Sequence, residues 1–442
     1  NSTGAVTIVN DAGLNLAAST LGGTFSGTAT TGNITDSGAL AITGTTTLVT
    51  SANDATIALD TTTNAFTGAL TITTNDASGT DADVTIDGGT TALIIAASTI
   101  DGDLTLTSGH ASGITDSGTV TVGGNFAATT DANSGVINVG TMAVDGTVGL
   151  NTNGTGAATI VNDAGINFAA STVGGVLSAT ATTGDMTDSG ALAITGAATF
   201  ITGATGSNIV LDTSTNAFSN SVEMRADAGG EAFGNITFVD SAAIDFATGA
   251  ASNGDLYINA STDGAVGGNL SVTATTGNIT DTLALAVSGT SSFTTSASNG
   301  TITLNTSTNA LSGAVSLSTT GSSGNATIDN GTTALNIAAS TIGGNLAVTA
   351  GDSITDSGVI TVGGTASFTT DTSDKLITLN SQNAITGQVT FDTTSTGGDV
   401  YLDNGTTAIS LGTISTGDIG GDLTLLTDAD QTISNAITLN GS

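Results

Sequence analysis

The chain of 442 residues has no cysteine, proline or tryptophan, and only 3% of its residues are aromatic. The lack of cysteine excludes a disulfide scaffold, and the scarcity of aromatic side chains excludes a large aromatic core. Cations are nearly missing as well, with 2 Lys and Arg residues against 37 acidic ones, so the formal net charge is −35. Nucleic acids and anionic lipid headgroups are bound through clusters of Lys and Arg. We therefore exclude nucleic acid as a partner.

Long apolar runs are missing too. No stretch approaches the roughly 20 consecutive apolar residues of a membrane helix, and no secretory signal segment opens the chain. We therefore expect a chain that is not embedded in a membrane. Hydrophobic residues nevertheless make up 38% of the sequence, which is too much for a disordered tail. Most of them are Ala, Ile, Leu and Val, which predicts a thin core of stacked aliphatic side chains.

A glycine with apolar neighbours recurs along the chain at intervals of 20 to 34 residues, with one longer gap before Gly268. Asn220 takes its place once. Short, medium and long intervals alternate, so that three units form a cassette of mostly 73 to 79 residues. Self-similarity of this kind indicates a solenoid. The marker glycines are Gly23, Gly44, Gly68, Gly102, Gly124, Gly146, Gly175, Gly196, Gly268, Gly289, Gly313, Gly344, Gly364, Gly387 and Gly421.

An internal duplication supports this organisation. Residues 1–50 align without a gap onto residues 153–202, at an offset of 152. We expect residues 1–442 to be a single continuous solenoid segment of a longer protein, with an irregular coil or insertion at residues 220–268. That interval contains both glutamates, Glu223 and Glu231, together with Arg225 and Tyr257. We would look there first for a specific contact surface.

Apolar residues alternate with Thr and Ser around each marker, as in Phe66, Leu70 and Ile72. A period of two indicates strands with one buried face, and the Gly, Asn, Asp and Ser residues between them supply turns. Two-residue Asn-Gly hairpin turns do not separate the strands, so a meander is disfavoured. The predicted fold is therefore all-β: a parallel β-helix, expected to be right-handed, of about seventeen coils in three-coil cassettes.

Three short motifs mark the cassettes, and each is predicted to form one corner of one coil type. The ITDSG motif is Ile34-Thr35-Asp36-Ser37-Gly38, with copies at 114–118, 186–190 and 354–358 and a degenerate copy at 279–283. The TNA motif is Thr63-Asn64-Ala65-Phe66, with copies at 215–218 and 308–311. The AAST motif is Ala17-Ala18-Ser19-Thr20, with copies at 96–99, 169–172 and 338–341.

With its ITDSG-type and IGGNL-type strands and its Gly-, Thr-, Ala- and Asn-rich composition, the chain resembles the β-helical shafts of filamentous-haemagglutinin-like and autotransporter-type bacterial surface proteins. The resemblance covers the whole chain as a pattern. It implies an exported bacterial protein at the cell surface or outside the cell. The secretion domain or membrane barrel of those families has no counterpart in the sequence, which leaves the export route open.

Candidate chemistry is sparse. His110 is the single histidine; a hydrolase triad would need it beside a nucleophile and an acid, and we favour an exposed loop instead. Some β-helical enzymes cleave polysaccharides with paired carboxylates, but only two cations are available to bind an anionic sugar. The same pairs are candidate calcium ligands, since carboxylates are hard oxygen donors. They are Asp81 and Asp83, Asp101 and Asp103, and Asp428 and Asp430.

For most aspartates we favour Asx turns, in which the carboxylate accepts hydrogen bonds from local backbone N–H groups. Outward Thr-x-Thr pairs such as Thr71 and Thr73 resemble the threonine ladders of ice-binding solenoids, but in this sequence they do not recur on every coil in register. β-Branched residues are common on any exposed strand.

We predict no catalytic residues and no required cofactor, with calcium as the one candidate ligand. The predicted function is a non-enzymatic structural rod or fibre segment at the cell surface or outside the cell: a matrix component, an adhesin shaft or a self-assembling filament. Self-association is the expected partnership, with surface or glycan contact as a further one. Two alternatives stay open, a carbohydrate-binding or polysaccharide-cleaving β-helix and an ice-binding solenoid.

Overall fold

The computed structural model describes residues 3–75, 81–226, 234–247, 255–258, 265–394, 397–415, 417–432, 435 and 437; side chains at 255, 257–258 and 265 are outside the description. The described residues form strands, turns and bends, and contain no helix that could cross a membrane. They build an all-β, right-handed parallel β-solenoid of about eighteen turns, which confirms the predicted fold and differs by about one from the expected coil number. By contacts the chain divides into two compact units, Asn1–Val222 and Glu223–Ser442.

The first unit contains strands β1 to β28 among its described residues. In chain order they are Val6–Asn10, Leu14–Leu16, Ser19–Leu21, Phe25–Ala29, Ile34–Asp36, Leu40–Ile42, Thr46–Thr50, Ile57–Leu59, Ala65–Phe66, Leu70–Thr73, Val84–Asp87, Leu93–Ile95, Ser98–Ile100, Leu104–Ser108, Ile114–Asp116, Val120–Val122, Phe126–Asn133, Ile137–Val144, Thr147–Asn153, Ala158–Asn162, Ile166–Phe168, Ser171–Val173, Leu177–Ala181, Met186–Asp188, Leu192–Ile194, Ala198–Thr202, Ile209–Leu211 and Ala217–Phe218.

Each coil of this unit contributes strands that pair in parallel with the equivalent strands of the next coil. One ladder runs β1, β4, β7, β10, with Val6 opposite Phe25 and Phe25 opposite Thr46. A second runs β2, β5, β8, β11, β14, β17, β19, and a short third joins β3, β6 and β9. The strands of one turn belong to three ladders, and together they enclose the apolar residues of the coil.

The second unit contains strands β29 to β53 among its described residues, where β29 begins at Val222 on the boundary. In chain order they are Val222–Ala226, Ile236–Asp240, Ile244–Phe246, Asp255–Ile258, Ala265–Val266, Leu270–Ala274, Ile279–Asp281, Ala286–Val287, Ser291–Ser298, Ile302–Leu304, Ala310–Leu311, Ala314–Thr320, Ala326–Asp329, Leu335–Ile337, Ser340–Ile342, Leu346–Ala350, Ile354–Asp356, Ile360–Val362, Ala366–Thr370, Ile377–Leu379, Ala384–Ile385, Gln388–Asp392, Val400–Asp403, Ser410–Leu411 and Leu423–Leu426.

The same arrangement holds in this unit. The ladder β41, β44, β47, β50 places Ala326 opposite Leu346 and Ala366 opposite Val389. The ladder β45, β48, β51, β53 runs beside it in the same parallel sense. Many strands alternate buried and partly exposed residues, as in Leu346–Ala350 and Ala366–Thr370, because successive side chains point to opposite faces of a strand. This alternation confirms the predicted period of two.

Within each unit, inward residues stack on their counterparts in neighbouring coils and form an aliphatic core. The few aromatic residues are placed in it as local stacks: the rings of Phe168 and Phe200 meet edge to face with centroids 6.1 Å apart, and Phe218 packs on Phe200 at 6.0 Å. In the second unit Phe368 and Phe391 are stacked with centroids 5.9 Å apart. All five rings are buried.

Candidate functional site

The marker glycines stack in runs of three that alternate between two corners of the coils. Gly23, Gly44 and Gly68 precede strands of the first ladder, whereas Gly102, Gly124 and Gly146 precede strands of the second. A Cβ atom built on any of them would lie only 2.1 to 2.6 Å from the nearest atom of the preceding coil. Gly146 N donates to Gly124 O at 3.0 Å, and Gly124 N donates in turn to Gly102 O at 3.0 Å. None of the marker glycines has a positive φ. They are therefore required for the close approach of successive coils, not for an unusual backbone conformation.

The residue after several of these glycines ties one coil to the next. Asp83 Oδ1 accepts a hydrogen bond from Asp103 N at 2.8 Å, Asp103 Oδ1 accepts from Asn125 N at 2.6 Å, and Asn125 Oδ1 accepts from Thr147 N at 2.9 Å. In the second unit Asn345 Oδ1 accepts from Thr365 N at 2.8 Å. These side-chain oxygens therefore form hydrogen bonds from one coil to the next.

The candidate calcium ligands, which all lie among the described residues, do not converge on one site. Asp83 and Asp103 use carboxylate oxygens for bonds between coils, and Asp428 and Asp430 are exposed near the last described strand. Within the described residues no three or more His, Cys, Asp or Glu side chains converge on a point where they could hold a metal ion. A calcium site stays a prediction.

The aspartate of the ITDSG motif also bonds to the next coil. Asp188 Oδ1 accepts from Asp212 N at 2.9 Å, and its Oδ2 accepts from Asn216 Nδ2 at 2.6 Å. Asn216, the TNA asparagine, is fully buried, and its Oδ1 accepts from Leu192 N at 2.8 Å. We call this pair the Asp–Asn link. Its other copies, with Nδ2–Oδ2 distances of 2.6 to 2.7 Å, are Asp36–Asn64, Asp281–Asn309 and Asp356–Asn383.

The expectation of local Asx turns is therefore wrong for the ITDSG aspartates, because the backbone groups they bond lie one coil further along the chain. It is confirmed at another corner. There Asp87, Asp329 and Asp403 each accept a hydrogen bond from the N–H of the glycine two residues later, at 2.7 to 2.9 Å. Those glycines have positive φ angles of 51° to 57°.

The AAST motif has an equivalent role. Ser171 Oγ donates to Ala169 O at 2.9 Å and accepts from Leu150 N of the preceding coil at 3.0 Å. Ser98 and Ser340 make the same two contacts. A hydroxyl can donate and accept at once, so one buried serine satisfies two backbone groups. All three predicted motifs therefore mark corners, and all three connect neighbouring coils.

His110 is exposed in a turn, where its Nδ1 accepts from Ser112 N at 3.0 Å and its carbonyl accepts from Gly113 N at 2.8 Å. This agrees with the exposed-loop interpretation. In the predicted irregular interval, Arg225 pairs with Glu223. Glu231 lies outside the described residues, and so does the side chain of Tyr257.

Among the described residues, three carboxyl groups have shifted pKa values. Burial raises the pKa of Asp87 above 3.8, against the effect of the Gly89 N–H, and Asp131, Asp60 and Asp36 add repulsion. Burial likewise raises the pKa of Asp371, with repulsion from Asp329 and Asp392.

Asp352 shows the opposite case. Its hydrogen bond with Lys375, whose Nζ lies 2.9 Å from Asp352 Oδ2, lowers the pKa of that carboxyl.

One surface groove was not anticipated. It has a volume of about 400 Å³ and lies on the outer face of β48, β51 and β53, with Tyr401 at its centre. Tyr401 is the one aromatic residue that is not buried among those whose side chains the structure describes. The sequence carries a signal for it: Tyr401 stands where the corresponding strands β11 and β41 have Thr85 and Thr327.

One family of known proteins matches the chain in five successive stretches, residues 3–73, 81–138, 155–225, 233–318 and 323–392. The family is described as repeats of unknown function, DUF5649. The stretches start 74 to 90 residues apart, close to the cassette length, so each stretch corresponds to about one cassette. No curated protein and no solved structure gives a match.

Proposed function

We propose that the chain, which belongs to the family of repeats of unknown function DUF5649, is a structural element without enzymatic activity. In this proposal it forms a stiff segment of an extracellular or cell-surface rod or fibre, such as a matrix component, an adhesin shaft or a filament. The net charge of −35 keeps such a surface well solvated and directs its contacts to cations, neutral surfaces and copies of itself.

The observation that carries this proposal is the use of the recurring polar side chains. The Asp–Asn link, the AAST serine and the residue after the marker glycine all bond a neighbouring coil. Hydrogen-bonded networks of buried polar groups make a structure rigid and specify its register; within these links, Asp36 Oδ1 is one buried oxygen that has no partner. A chain whose recurrent motifs serve cohesion between coils suits a load-bearing role.

Self-association is proposed through the edge strand β1. Its Ile8 and Asn10 are the duplicates of Ile160 and Asn162. Ile160 is 0% exposed and Asn162 bonds both Val144 N and Val144 O, at 2.8 and 3.0 Å, whereas Ile8 is 37% exposed and Asn10 is exposed. When residues 1–442 are expressed by themselves, this edge is unpaired and is a template for another strand. In our proposal a solenoid coil covers it as residues 137–144 cover β20.

The experiment is sedimentation velocity with negative-stain microscopy at about 0.15 M salt, where repulsion between exposed charges is screened beyond about 8 Å. We expect concentration-dependent end-to-end association of the wild-type chain, and its loss in the double variant Ile8→Lys, Val9→Lys. Val176→Lys is the matched control, because Val176 is 52% exposed but lies outside this edge. A wild-type chain that stays monomeric at high concentration would refute assembly through this edge.

The location is tested separately by immunogold labelling of intact cells. Label at the cell surface or on extracellular material supports the proposal. Label confined to the cytoplasm refutes it. If calcium joins laterally associated molecules, EDTA should separate bundles without a change in the far-ultraviolet circular dichroism of the solenoid; bundles that persist in EDTA would contradict that role of calcium.

A further inference from the structure

The groove around Tyr401 has a defined geometry. In the register of β48, β51 and β53, Tyr401 lies between Thr378 and Thr424 on the neighbouring strands, about 4.8 Å away on either side. Val400 and Leu402 are buried, so the ring of Tyr401 points outward, because alternate residues face opposite sides. The two flanking threonines are short, and the aromatic ring is therefore open to a ligand from solvent.

Carboxylates border this ring. The row two residues before Thr378, Tyr401 and Thr424 consists of Leu376, Asp399 and Asp422. All three are exposed, and all three line the groove. Asp399 Oδ1 accepts from Asp422 N at 2.8 Å, which fixes the orientation of that carboxylate beside the ring.

We propose that this groove binds an organic cation of the alkylammonium class. A cation over a tyrosine face is attracted by the ring quadrupole, and two carboxylates at the same place add charge complementarity. The nearest cationic side chain in sequence, Lys375, is paired with Asp352. The exposed side chain of Leu376 supplies apolar contact for the methyl or methylene groups of such a ligand.

The alternative occupant is a neutral sugar, for which Thr378, Thr424 and Asn380 supply donors in the same groove, but a sugar carries no charge to complement the two carboxylates. Carboxylates accept hydrogen bonds but do not donate them when ionised, so the acidic row favours a ligand that carries positive charge. A volume of about 400 Å³ is in the range of small-molecule sites. This site is independent of the proposed structural role.

The chain offers a clean optical readout. It has no tryptophan and two tyrosines, so Tyr257→Phe leaves Tyr401 as the single fluorophore. We would titrate this variant with choline and, in parallel, with 3,3-dimethyl-1-butanol, which has the same shape without the charge. We expect a saturable change in tyrosine emission with choline alone, weakened by added NaCl.

Matched variants identify the site. Tyr401→Phe should retain choline binding, whereas Tyr401→Thr, which restores the residue of β11 and β41, should weaken it about two- to fivefold, as measured by equilibrium dialysis with labelled choline. Asp422→Asn should weaken it about threefold, from the Coulomb interaction of charges some 6 Å apart in water.

A gain-of-function variant can be made at Thr85, the residue of β11 that corresponds to Tyr401. Thr85 is bordered by Asp83 and Asp103, whose backbone-to-carboxylate contact repeats that of Asp422 and Asp399. Thr85→Tyr in a chain that already carries Tyr257→Phe and Tyr401→Thr should restore binding of choline. Equal binding of choline and the neutral alcohol, unchanged binding in Tyr401→Thr, or a response to glucose in place of choline would each overturn the proposal.

Discussion

Replacement of a single marker glycine by alanine tests whether the coils are held as closely as the structure places them. In Gly146→Ala the new Cβ would lie 2.4 Å from Gly124 O and 2.6 Å from Gly124 C. These are backbone atoms that carry the hydrogen bond between the two coils, so they cannot rotate away. Overpacking of this kind costs about 1–3 kcal/mol, and we expect a loss of at least that size.

Gly140 is the matched control, six residues earlier in the same coil. A Cβ there would meet nothing within 4 Å, and its φ is not positive. Gly140→Ala should therefore leave stability unchanged or raise it by about 0.4–1 kcal/mol, because alanine restricts the unfolded chain. Both variants replace glycine with alanine, so a difference between their changes in the free energy of unfolding reports the contact between coils at Gly146.

The assay is unfolding by guanidinium chloride, followed by circular dichroism, for both variants and the wild type. Solenoids can unfold in parts, so native-state hydrogen exchange of residues 137–153 should accompany it and report the local free energy of opening. If both variants had the same free energy of unfolding, or if Gly146→Ala were the more stable, the inferred role of the marker glycines would be refuted.

Three further predictions concern buried groups. Asn216→Ala should lower the free energy of unfolding by roughly 2–4 kcal/mol in the same assay, because it leaves Leu192 N–H and Asp188 without their partner; no loss would contradict the Asp–Asn link. Phe200→Ala should cost about 3–5 kcal/mol, since Phe200 is buried in an aromatic stack, and a loss below about 1 kcal/mol would contradict that packing. Asp87→Asn should stabilise the protein at about pH 7 but not at about pH 3. Burial raises the folded-state pKa of Asp87 above 3.8, so the wild-type protein loses folding free energy as this carboxyl ionises with rising pH, and the neutral amide does not. Equal effects at both pH values would contradict the raised pKa.

The sequence was sufficient for the fold because each coil repeats the same pattern. The period of the marker glycines gave the length of a turn, and alternation around residues such as Phe66 and Leu70 gave the strands. The physical reason for the glycines was not accessible in the same way. The sequence assigned glycine to turns, whereas the structure shows that the marker glycines allow close backbone contact between coils, which depends on their stacking distance.

The polar connections between coils were missed for a related reason. Asp188 and Asn216 are 28 residues apart, and nothing local in either motif shows that they meet. Only the register between β24 and β27, in which Met186 lies opposite Ile209, brings their coils into line. Tyr401 was missed because its meaning depends on comparison with Thr85 and Thr327 in equivalent strands, and on the acidic row beside it.

The Asp–Asn link also constrains how a gene for such a chain can lengthen or shorten. In four of the ITDSG coils the aspartate bonds a buried asparagine of the next coil, as Asp188 bonds Asn216, whereas Asp116 bonds Gly140 N and Thr141 N. Insertion or deletion of one coil between Asp188 and Asn216 would leave a buried amide and a carboxylate without partners, a cost of about 1–3 kcal/mol for each group. Recombination that exchanges whole cassettes keeps every pair intact. Strand β11, one cassette after β1, lies in the second ladder, whereas β20, two cassettes after β1, lies in the same sheet as β1. The offset of 152 residues between the two duplicated stretches therefore fits growth by two cassettes at a time, the step that returns each strand to its own sheet.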